Sequence, residues 1–234
     1  MKRDWGQMPE TAFSDYKSTA TRAPSLEPVK LEGGWDNSAS LRPVWPDLAK
    51  RDADLTINGR VNGDPIGERI VVEGRLTDEA GRPVPGALIE IWQANAAGRY
   101  VHREEMHAAP LDPNFLGAGR CISAADGSYR FITIKPGSYP WGNHRNAWRP
   151  AHIHFSIFGA GLAQRLVTQM YFPGDPTLRY DPIFNATRDA RIRNRLISRF
   201  SIEDTVPNWA HCLKFDICLA GAYGTPFEEG HDHG

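Results

Sequence analysis

Short stretches in which apolar and polar residues alternate recur along most of the chain, and Gly or Pro bounds nearly all of them. Alternation with a period of two is typical of β-strands, because successive side chains point to opposite faces. Many of the apolar positions are β-branched or aromatic, which favours strands further. The stretches predicted to be strands are 70–76, 87–92, 120–124, 128–134, 148–157, 165–172 and 213–219.

The residues between these stretches predict how they connect. Asp126-Gly127 lies between 120–124 and 128–134, and an Asp-Gly pair between two strands is one of the strongest hairpin signals. A helical period occurs between residues 188 and 200, where Ile192, Leu196 and Phe200 are spaced four residues apart. We therefore expect a mainly β fold, a β-sandwich of mixed topology with long loops and one or two short helices.

The composition changes near residue 65 and predicts the organisation of the chain. Residues 1–65 are rich in Pro, Ser, Asp and Arg and contain Trp35 and Trp45 without a sustained period, which is typical of an extended arm. We expect this N-terminal arm to contact a partner subunit and residues 66–234 to form one catalytic β-sandwich domain. The tail carries His231 and His233, which could bind metal only weakly.

Charge and composition argue against several classes of partner. The net charge of −1 and the lack of a Lys/Arg-rich run predict neither a nucleic-acid nor a membrane partner. No apolar run reaches the ~18 residues needed to span a bilayer, and the first residues lack the apolar core of a signal peptide, so a soluble cytoplasmic protein is expected. Cys121, Cys212 and Cys218 lack CxxC spacing and are expected to be buried apolar residues.

The stretch 148–157 carries two histidines two residues apart. In a strand, Ile153, Phe155 and Ile157 share one face, and His152 and His154 share the other. The apolar face needs a core, whereas two imidazoles at neighbouring positions of one face can converge on one metal ion. The same pair could instead face solvent or be satisfied by hydrogen bonds, so the other candidate ligands decide between these interpretations.

Two tyrosines in loops that follow strands, Tyr100 and Tyr139, are candidates for the other ligands. A carboxylate ligand a few residues after His154 is not present, because residues 155–158 are Phe-Ser-Ile-Phe. A phenol with a pKa of about 10 binds at neutral pH only when the cation is acidic enough to displace its proton, as a hard trivalent ion is. Two phenolates and two neutral imidazoles would suit Fe(III), although a loop tyrosine on its own is more often an ordinary packing residue.

Several motifs together resemble the intradiol ring-cleaving dioxygenases. They lie at residues 86–95, 98–100, 109–115, 133–137, 139–141, 149–155 and 169–172, and the likeness runs from about Tyr16 to Phe227. Within that family the chain is most similar to the iron-bearing β subunits that act on protocatechuate (3,4-dihydroxybenzoate). Segments 142–146 and 179–209 depart from the family pattern, which leaves the fine substrate preference open.

The resemblance implies a metal centre and a reaction. The implied ligands of a non-haem Fe(III) are Tyr100, Tyr139, His152 and His154. The implied reaction opens the catechol ring between its two hydroxyls with O2, and both oxygen atoms enter the product, which would be 3-carboxy-cis,cis-muconate. Tyr139 would leave the metal when the substrate binds, Arg149 would stabilise negative charge on the ring, and Gln169 would support Arg149 or the oxygen pocket.

The resemblance also implies residues of the substrate pocket and a partner. Trp141 and Ile183 would wall the pocket, Trp92 would pack beneath the iron, and Tyr16 on the arm would reach the substrate carboxylate. A homologous α subunit without metal ligands would complete the pocket and form a hetero-oligomer with this chain.

Two other functions remain open from the sequence. A catechol or hydroxyquinol 1,2-dioxygenase would use the same four ligands, but those enzymes resemble longer homodimeric chains with a helical N-terminal domain. A non-catalytic, prealbumin-like β-sandwich is the second alternative, because the strand, turn and strand at 74–86 also occur there as a purely structural unit.

Overall fold

The computed structural model describes residues 50–102, 105, 107–141, 148–159 and 165–227. The strands within them are β1 (Arg69–Thr77), β2 (Leu88–Trp92), β3 (Ala118–Ile122), β4 (Ser128–Ile134), β5 (Tyr139–Pro140), β6 (Trp148–Arg149), β7 (His152–Phe158), β8 (Arg165–Tyr171), β9 (Arg199–Val206), β10 (Ala210–Lys214) and β11 (Ile217–Cys218). The helices are α1 (Leu55–Asn58), α2 (Pro182–Ala186) and α3 (Ala190–Arg193), with 3-10 turns at Lys50–Ala53, Leu178–Tyr180 and Asn194–Leu196.

The strands form two main sheets of different topology. In the first sheet, β1 pairs antiparallel with β4 and parallel with β10 and β11, and β10 pairs antiparallel with β9. The second sheet is antiparallel in the order β3-β2-β7-β8. Strands β5 and β6 form a separate two-stranded pair. The predicted β-sandwich of mixed topology is therefore confirmed.

The core lies between the two sheets and centres on Phe155 of β7. Its ring packs against Tyr129 and Phe131 of the first sheet, with ring centroids 6.2 and 5.7 Å away, and against Phe215, 5.2 Å away. Each fully buried aliphatic or phenylalanine side chain stabilises the fold by about 1.5–3 kcal/mol. This packing fixes one face of β7 to the core, so its other face points away from the first sheet.

The turn at Asp126-Gly127 forms as predicted, but the predicted hairpin was wrong. Gly127 adopts a φ of 79°, and the Gly127 N–H donates to the Ala124 carbonyl at 2.9 Å. Strand β3 pairs with β2 in the second sheet, whereas β4 pairs with β1 in the first. The turn passes the chain from one sheet to the other, because Cys121 of β3 and Phe131 of β4 both belong to the core between the sheets.

The predicted helix over residues 188–200 was wrong in length. Helix α3 covers Ala190–Arg193 and the following 3-10 turn ends at Leu196, which is buried. The Ser198 N–H then donates to the Tyr171 carbonyl at 2.9 Å. Phe200 lies in β9 and pairs with Leu213 of β10. Pairing with the sheet edge therefore overrides a helical period that only three apolar residues supported.

Part of the predicted N-terminal arm lies within the described residues and packs on the sandwich. Leu55 of α1 is fully buried in the main core. Residues 1–49 lie outside the described part of the chain, so the arm and its contact with a partner subunit stay predictions. Cys121 and Cys212 are buried and unpaired, as expected. Within the described residues, no helix has the length and apolarity needed to cross a membrane.

Candidate metal centre

Strand β7 places two histidines on the face that points away from the core. Ile153, Phe155 and Ile157 are fully buried between the sheets. On the other face, His152 is 2% and His154 is 3% exposed. The predicted alternation is therefore correct, and the alternative in which the histidines face solvent is wrong.

The rings of His152 and His154 turn toward each other. The Nδ1 atom of His152 lies 2.7 Å from the Pro150 carbonyl oxygen. Because a carbonyl oxygen only accepts, Nδ1 carries the proton and Nε2 presents its lone pair. That Nε2 atom lies 3.2 Å from Nε2 of His154. Two ring nitrogens at this distance need a proton or a cation between them, because their lone pairs would otherwise repel.

Tyr100 lies in a loop and Tyr139 begins the short strand β5, and the loops that lead to them approach each other backbone to backbone. The N–H groups of Gly98 and Gly137 donate to the same acceptor, the Asn95 carbonyl, at 3.0 and 2.9 Å. Gly98 has a φ of 79°, and a Cβ on Gly137 would lie 2.4 Å from the Ala96 carbonyl oxygen. Glycine is therefore required at both positions. Each glycine precedes its tyrosine by two residues, so this contact sets the distance between Tyr100 and Tyr139.

The loops bring both tyrosines beside the histidines. The phenol oxygen of Tyr139 lies 3.4 Å from Nε2 of His152. The rings of Tyr100 and Tyr139 meet edge to face with centroids 5.4 Å apart, and the Tyr100 ring is 6.3 Å from that of His154. The four residues predicted as ligands come from three separate segments and lie next to one another.

The separations of the donor atoms fit a single bound metal ion. Metal–nitrogen bonds are about 2.0–2.1 Å long, so two ligands of one ion lie about 3.0–3.4 Å apart at common bond angles. The distances from His152 Nε2 to His154 Nε2 and to the Tyr139 oxygen, 3.2 and 3.4 Å, match this range. Among the described residues, no group of three His, Cys, Asp or Glu side chains gathers to hold a metal. The candidate donor atoms are imidazole nitrogens and phenol oxygens, a combination that would suit a hard ferric ion.

Burial controls the protonation state of the Tyr139 phenol. Burial raises the pKa of the Tyr139 phenol, against the opposing effects of the Arg149 charge and a hydrogen bond with Tyr100. The phenol becomes a phenolate at neutral pH only when a bound cation displaces its proton. Without such a cation, the Tyr139 hydroxyl keeps its proton at neutral pH.

Arg149 lies immediately beside the donor set and is almost fully buried. Its Nη1 atom is 3.3 Å from His152 Nε2, and its guanidinium carbon lies 5.3 Å from the centroid of the Trp141 ring. Burial alone would lower the pKa of the guanidinium, but the Asp181 carboxylate and the phenols of Tyr171 and Tyr139 raise that pKa well above its usual value. The arginine is therefore a permanent positive charge at the edge of the site.

Sequence reasoning missed two residues of this network, Asp181 and Tyr171. Asp181 is fully buried and forms an ion pair with Arg149 at 3.0 Å. The Tyr171 hydroxyl lies 3.1 Å from Arg149 Nη2 and 3.0 Å from Asp181 Oδ2. The one sequence signal at this position is Asp181-Pro182, which is typical of a helix start. That signal gives no indication of a contact with Arg149, 32 residues earlier.

Other predicted site residues lie at different distances from the centre. Gln169 Oε1 accepts from Arg149 Nη2 at 2.6 Å, and its Nε2 is 3.4 Å from His154 Nδ1. Trp92 stacks on His154 with centroids 4.7 Å apart and an interplanar angle of 6°. Ile183 is half-buried in α2, which begins next to Asp181, and its place in the pocket wall stays a prediction. Tyr16, His231 and His233 lie outside the described residues.

Comparisons with known proteins show which proteins the chain is similar to. The family model described as Dioxygenase matches residues 42–221. The chain is 56% identical over 228 residues to the protocatechuate 3,4-dioxygenase beta chain of Burkholderia cepacia, covering 97% of this chain and 96% of that one. It is 33% identical over 222 residues to a hydroxyquinol 1,2-dioxygenase of Rhodococcus opacus, covering 84% and 69%. The solved structure of a catechol 1,2-dioxygenase from Pseudomonas arvilla C-1 is similar with a TM-score of 0.53 at 27% identity, covering 78% of this chain and 60% of that one.

Proposed function

The chain belongs to this dioxygenase family, the intradiol ring-cleaving enzymes, and from that membership we propose that it is the iron-bearing β chain of a protocatechuate 3,4-dioxygenase. The proposed reaction adds both atoms of O2 to 3,4-dihydroxybenzoate and opens its ring between the hydroxyls to give 3-carboxy-cis,cis-muconate. The relative with the same name and 56% identity over nearly the whole chain supports the substrate.

The observation that carries this proposal is the convergence of two phenols and two imidazoles. We infer that Tyr100, Tyr139, His152 and His154 hold a non-haem ferric ion. The nitrogen and oxygen spacings of 3.2 and 3.4 Å around His152 Nε2 support it. When bound, the ferric ion would supply Lewis-acid chemistry and a template for the catechol.

The residues around the donors supply proton transfer and charge. As a phenolate ligand of the ferric ion, the Tyr139 oxygen would be a suitable acceptor for the proton of a catechol hydroxyl. Arg149 Nη1 points to the same position, and its positive charge would stabilise negative charge that develops on the ring. Because Arg149 is almost fully buried, water screens that charge little.

We further propose that a homologous α subunit completes the enzyme. The support is the name of the relative, which is a beta chain that covers almost the same length. The exposed apolar side chains Val61, Ile66, Leu111 and Leu116 lie on two neighbouring loops, because the Asn114 side chain accepts from the backbone of residues 61–63. Comparing the activity of this chain produced alone with its activity after co-expression with an α subunit would show whether the chain alone is active.

The test is an oxygen-electrode assay on protein produced with iron, with protocatechuate and catechol compared as substrates. We expect protocatechuate to consume O2 faster, and a red colour from charge transfer between tyrosinate and Fe(III). A faster rate with catechol or hydroxyquinol would favour the 1,2-dioxygenase alternative. A colourless, inactive protein that holds no iron would contradict the proposal.

A pair of histidine variants tests the ligand assignment. His154→Ala removes one proposed ligand and should lose most of the iron. His211→Ala is the matched control, because His211 is an exposed strand histidine that pairs with Glu68 at 2.6 Å. It should keep the iron content of the unmodified protein. Equal iron in both variants would refute the assignment of His154 as a ligand.

A further inference from the structure

A buried ion pair lies directly behind the donor set. Asp181 and Arg149 are 0% and 1% exposed. Arg149 Nε donates to Asp181 Oδ1 at 3.1 Å, and Arg149 Nη2 donates to Asp181 Oδ2 at 3.0 Å. This two-bond arrangement fixes the plane of the guanidinium as well as its distance, because both partners are flat and rigid.

The ion pair determines where the third nitrogen of the guanidinium points. With Nε and Nη2 bound to Asp181, the Nη1 atom of Arg149 lies 3.3 Å from His152 Nε2. Rotation of the guanidinium about its Cδ–Nε bond would move Nη1 away from that position. The orientation of the positive charge toward the donor set therefore depends on the carboxylate.

The Tyr171 hydroxyl also hydrogen-bonds to the Arg149–Asp181 pair. Tyr171 Oη accepts from Arg149 Nη2 at 3.1 Å and can donate to Gln169 Oε1 at 2.6 Å or to Asp181 Oδ2 at 3.0 Å. Gln169 Oε1 also accepts from Arg149 Nη2. Asp181, Gln169 and Tyr171 thus all contact Nη2 of Arg149, which favours one orientation of the guanidinium.

The carboxylate is itself held in place by a helix. Asp181 is the N-cap of α2, and its Oδ2 accepts from the Phe184 N–H at 3.3 Å. Its backbone carbonyl accepts from the Asn185 N–H at 3.0 Å. The position of Arg149 therefore depends on that of α2, because Asp181 binds both.

We propose that Asp181 is a positioning residue that aims Arg149 at the reacting catechol, with Tyr171 as its support. The role rests on the proposed function, because Arg149 is given its part in ring opening there. Asp181 does not contact the substrate in this proposal. It acts by holding Nη1 of Arg149 at the donor set.

The first test is Asp181→Asn in the assembled, iron-loaded protein. Asparagine is also a good N-cap, so the start of α2 is retained while the charge and one strong acceptor are lost. We expect kcat to fall about 100-fold, as a misplacement of about 1 Å does at other sites, with a small change in KM. Crystals of the metal-free variant should show Arg149 Nη1 displaced from its 3.3 Å contact with His152 Nε2.

A neighbouring residue provides a matched control. Asp189 is the N-cap of α3 and binds Arg191 through both carboxylate oxygens, at 3.3 and 3.0 Å. Asp189→Asn removes the same carboxylate from the same kind of cap and ion pair, but the arginine there is exposed. It should leave kcat and KM unchanged. A loss equal to that of Asp181→Asn would show a general effect of the cap and overturn the proposal.

A double-mutant cycle separates positioning from a structural role. If Asp181 acts through Arg149, Asp181→Asn should not lower kcat further in an Arg149→Gln background. Additive losses in the two backgrounds would overturn the proposal. So would an Asp181→Asn crystal in which Arg149 keeps its contact and kcat keeps its value.

Tyr171→Phe keeps the proposal testable if Asp181→Asn does not fold. It removes only a hydroxyl, and the ring still packs against Phe184 with centroids 5.0 Å apart. Its partners Arg149 and Asp181 are charged, and a hydrogen bond to a charged group is worth about 1.5 kcal/mol or more, so we expect kcat to fall about tenfold or more. An unchanged kcat would count against the support role of Tyr171.

If the unmodified enzyme opens no catechol ring, the proposed function fails, whereas the crystallographic comparison still tests the positioning of Arg149.

Discussion

His152 and His154 are costly residues to bury in a strand, and their burial is a sign of their chemistry. A buried polar group without a partner costs about 1–3 kcal/mol in proteins. The hydrogen bond from His152 Nδ1 to the Pro150 carbonyl offsets this cost. His154 lies beside Gln169 and stacks on Trp92. The Pro150 carbonyl orients the His152 ring so that its Nε2 faces Nε2 of His154, as an outer partner of a metal-bound histidine does.

Tyr139→Phe tests whether one phenol has a role that the other ligands cannot replace. The variant keeps the ring but removes the donor oxygen 3.4 Å from His152 Nε2. Because Tyr139 is the ligand expected to leave the metal when the substrate binds, the variant should retain iron. It should bind catechol about 100-fold more slowly, because a proton acceptor at the site is lost. Stopped-flow mixing with catechol without O2 measures that rate.

Tyr129→Phe is the matched control for this change. Tyr129 is also a buried phenol, and it donates to the Phe215 carbonyl in the core on the other side of the second sheet. Its loss should lower the stability of the fold without changing colour, iron content or the rate of catechol binding. The same slowing in both variants would mean that Tyr139 acts only through packing.

At the scale of elements, the register of the paired strands brings the residues of the candidate metal centre together. In the second sheet, His154 is directly opposite Trp92 of β2 and Gln169 of β8. His152 is opposite Tyr171 in the next row. The pair β5 and β6 places Tyr139 opposite Arg149. A shift of one residue in any of these pairings would turn the side chains to the wrong face.

Gly137→Ala tests the contact between the two tyrosine loops. The added Cβ would lie 2.4 Å from the Ala96 carbonyl oxygen and 2.7 Å from the Gly98 nitrogen, both backbone atoms. The loops must separate, at a cost of about 1–3 kcal/mol. We expect a lower melting temperature and weaker iron retention, measured by iron analysis after dialysis against a chelator.

Gly63→Ala is the control for the glycine variant. A Cβ there would meet only the Asn114 side chain at 3.4 Å, an ordinary contact distance. Its iron retention should equal that of the unmodified protein. Equal retention in Gly137→Ala would show that the spacing of the tyrosine loops does not control the metal centre.

Gln93 joins the ends of the two sheets just before the tyrosine loops. Its Nε2 donates to the Ile134 carbonyl at 2.7 Å, and the Thr133 hydroxyl donates to its Oε1 at 2.7 Å. Gln93→Leu would leave both buried partners unsatisfied, at about 1–3 kcal/mol each. We expect the free energy of unfolding, from urea denaturation, to fall by about 2–6 kcal/mol. Adding Thr133→Val should restore part of the loss, and strictly additive effects would contradict the bond between these side chains.

The sequence predicts strands well where one face is a core and fails where pairing partners are distant. The alternation around Ile153 and Phe155 defined β7 and its histidine face correctly. At Asp126-Gly127 the turn was correct but the hairpin was wrong, because the local signal does not say which sheet each strand joins. Strand β9 was missed because most of its residues are exposed and a short helical period overlaps its start.

The site residues, like the strands, could be predicted where a local motif marked them and not where their partners are distant in the sequence. The motifs around Tyr100, Tyr139 and His152 carried the resemblance to the family, so the donor set could be named before the structure. Asp181 could not be identified from the sequence, because it contacts Arg149 across 32 residues and its local sequence indicates only a helix cap. Long-range polar partners of this kind leave no periodic signal in the chain.

At the scale of the whole molecule, the proposed ligands tie together parts of the chain that no single element joins. Tyr100 follows β2 in the second sheet, Tyr139 follows β4 of the first sheet, and the histidines lie on β7. A ligand that binds only when these parts are assembled stabilises the native state by mass action. Iron should therefore contribute to the stability of the whole sandwich as well as to its activity.

Removal of the metal is expected to lower the melting temperature of the protein. At free metal concentrations about 100 times the dissociation constant, binding adds about 2.7 kcal/mol, which corresponds to a shift of about 5–10 °C for a domain of this size. Calorimetry of the iron-loaded and chelator-treated protein measures the shift, and adding iron back should restore it. His154→Ala should melt at the same temperature with and without iron, whereas His211→Ala should show the full shift, because only the first removes a proposed ligand. A melting temperature that chelation does not change in the unmodified protein would mean that the four side chains do not bind the ion together.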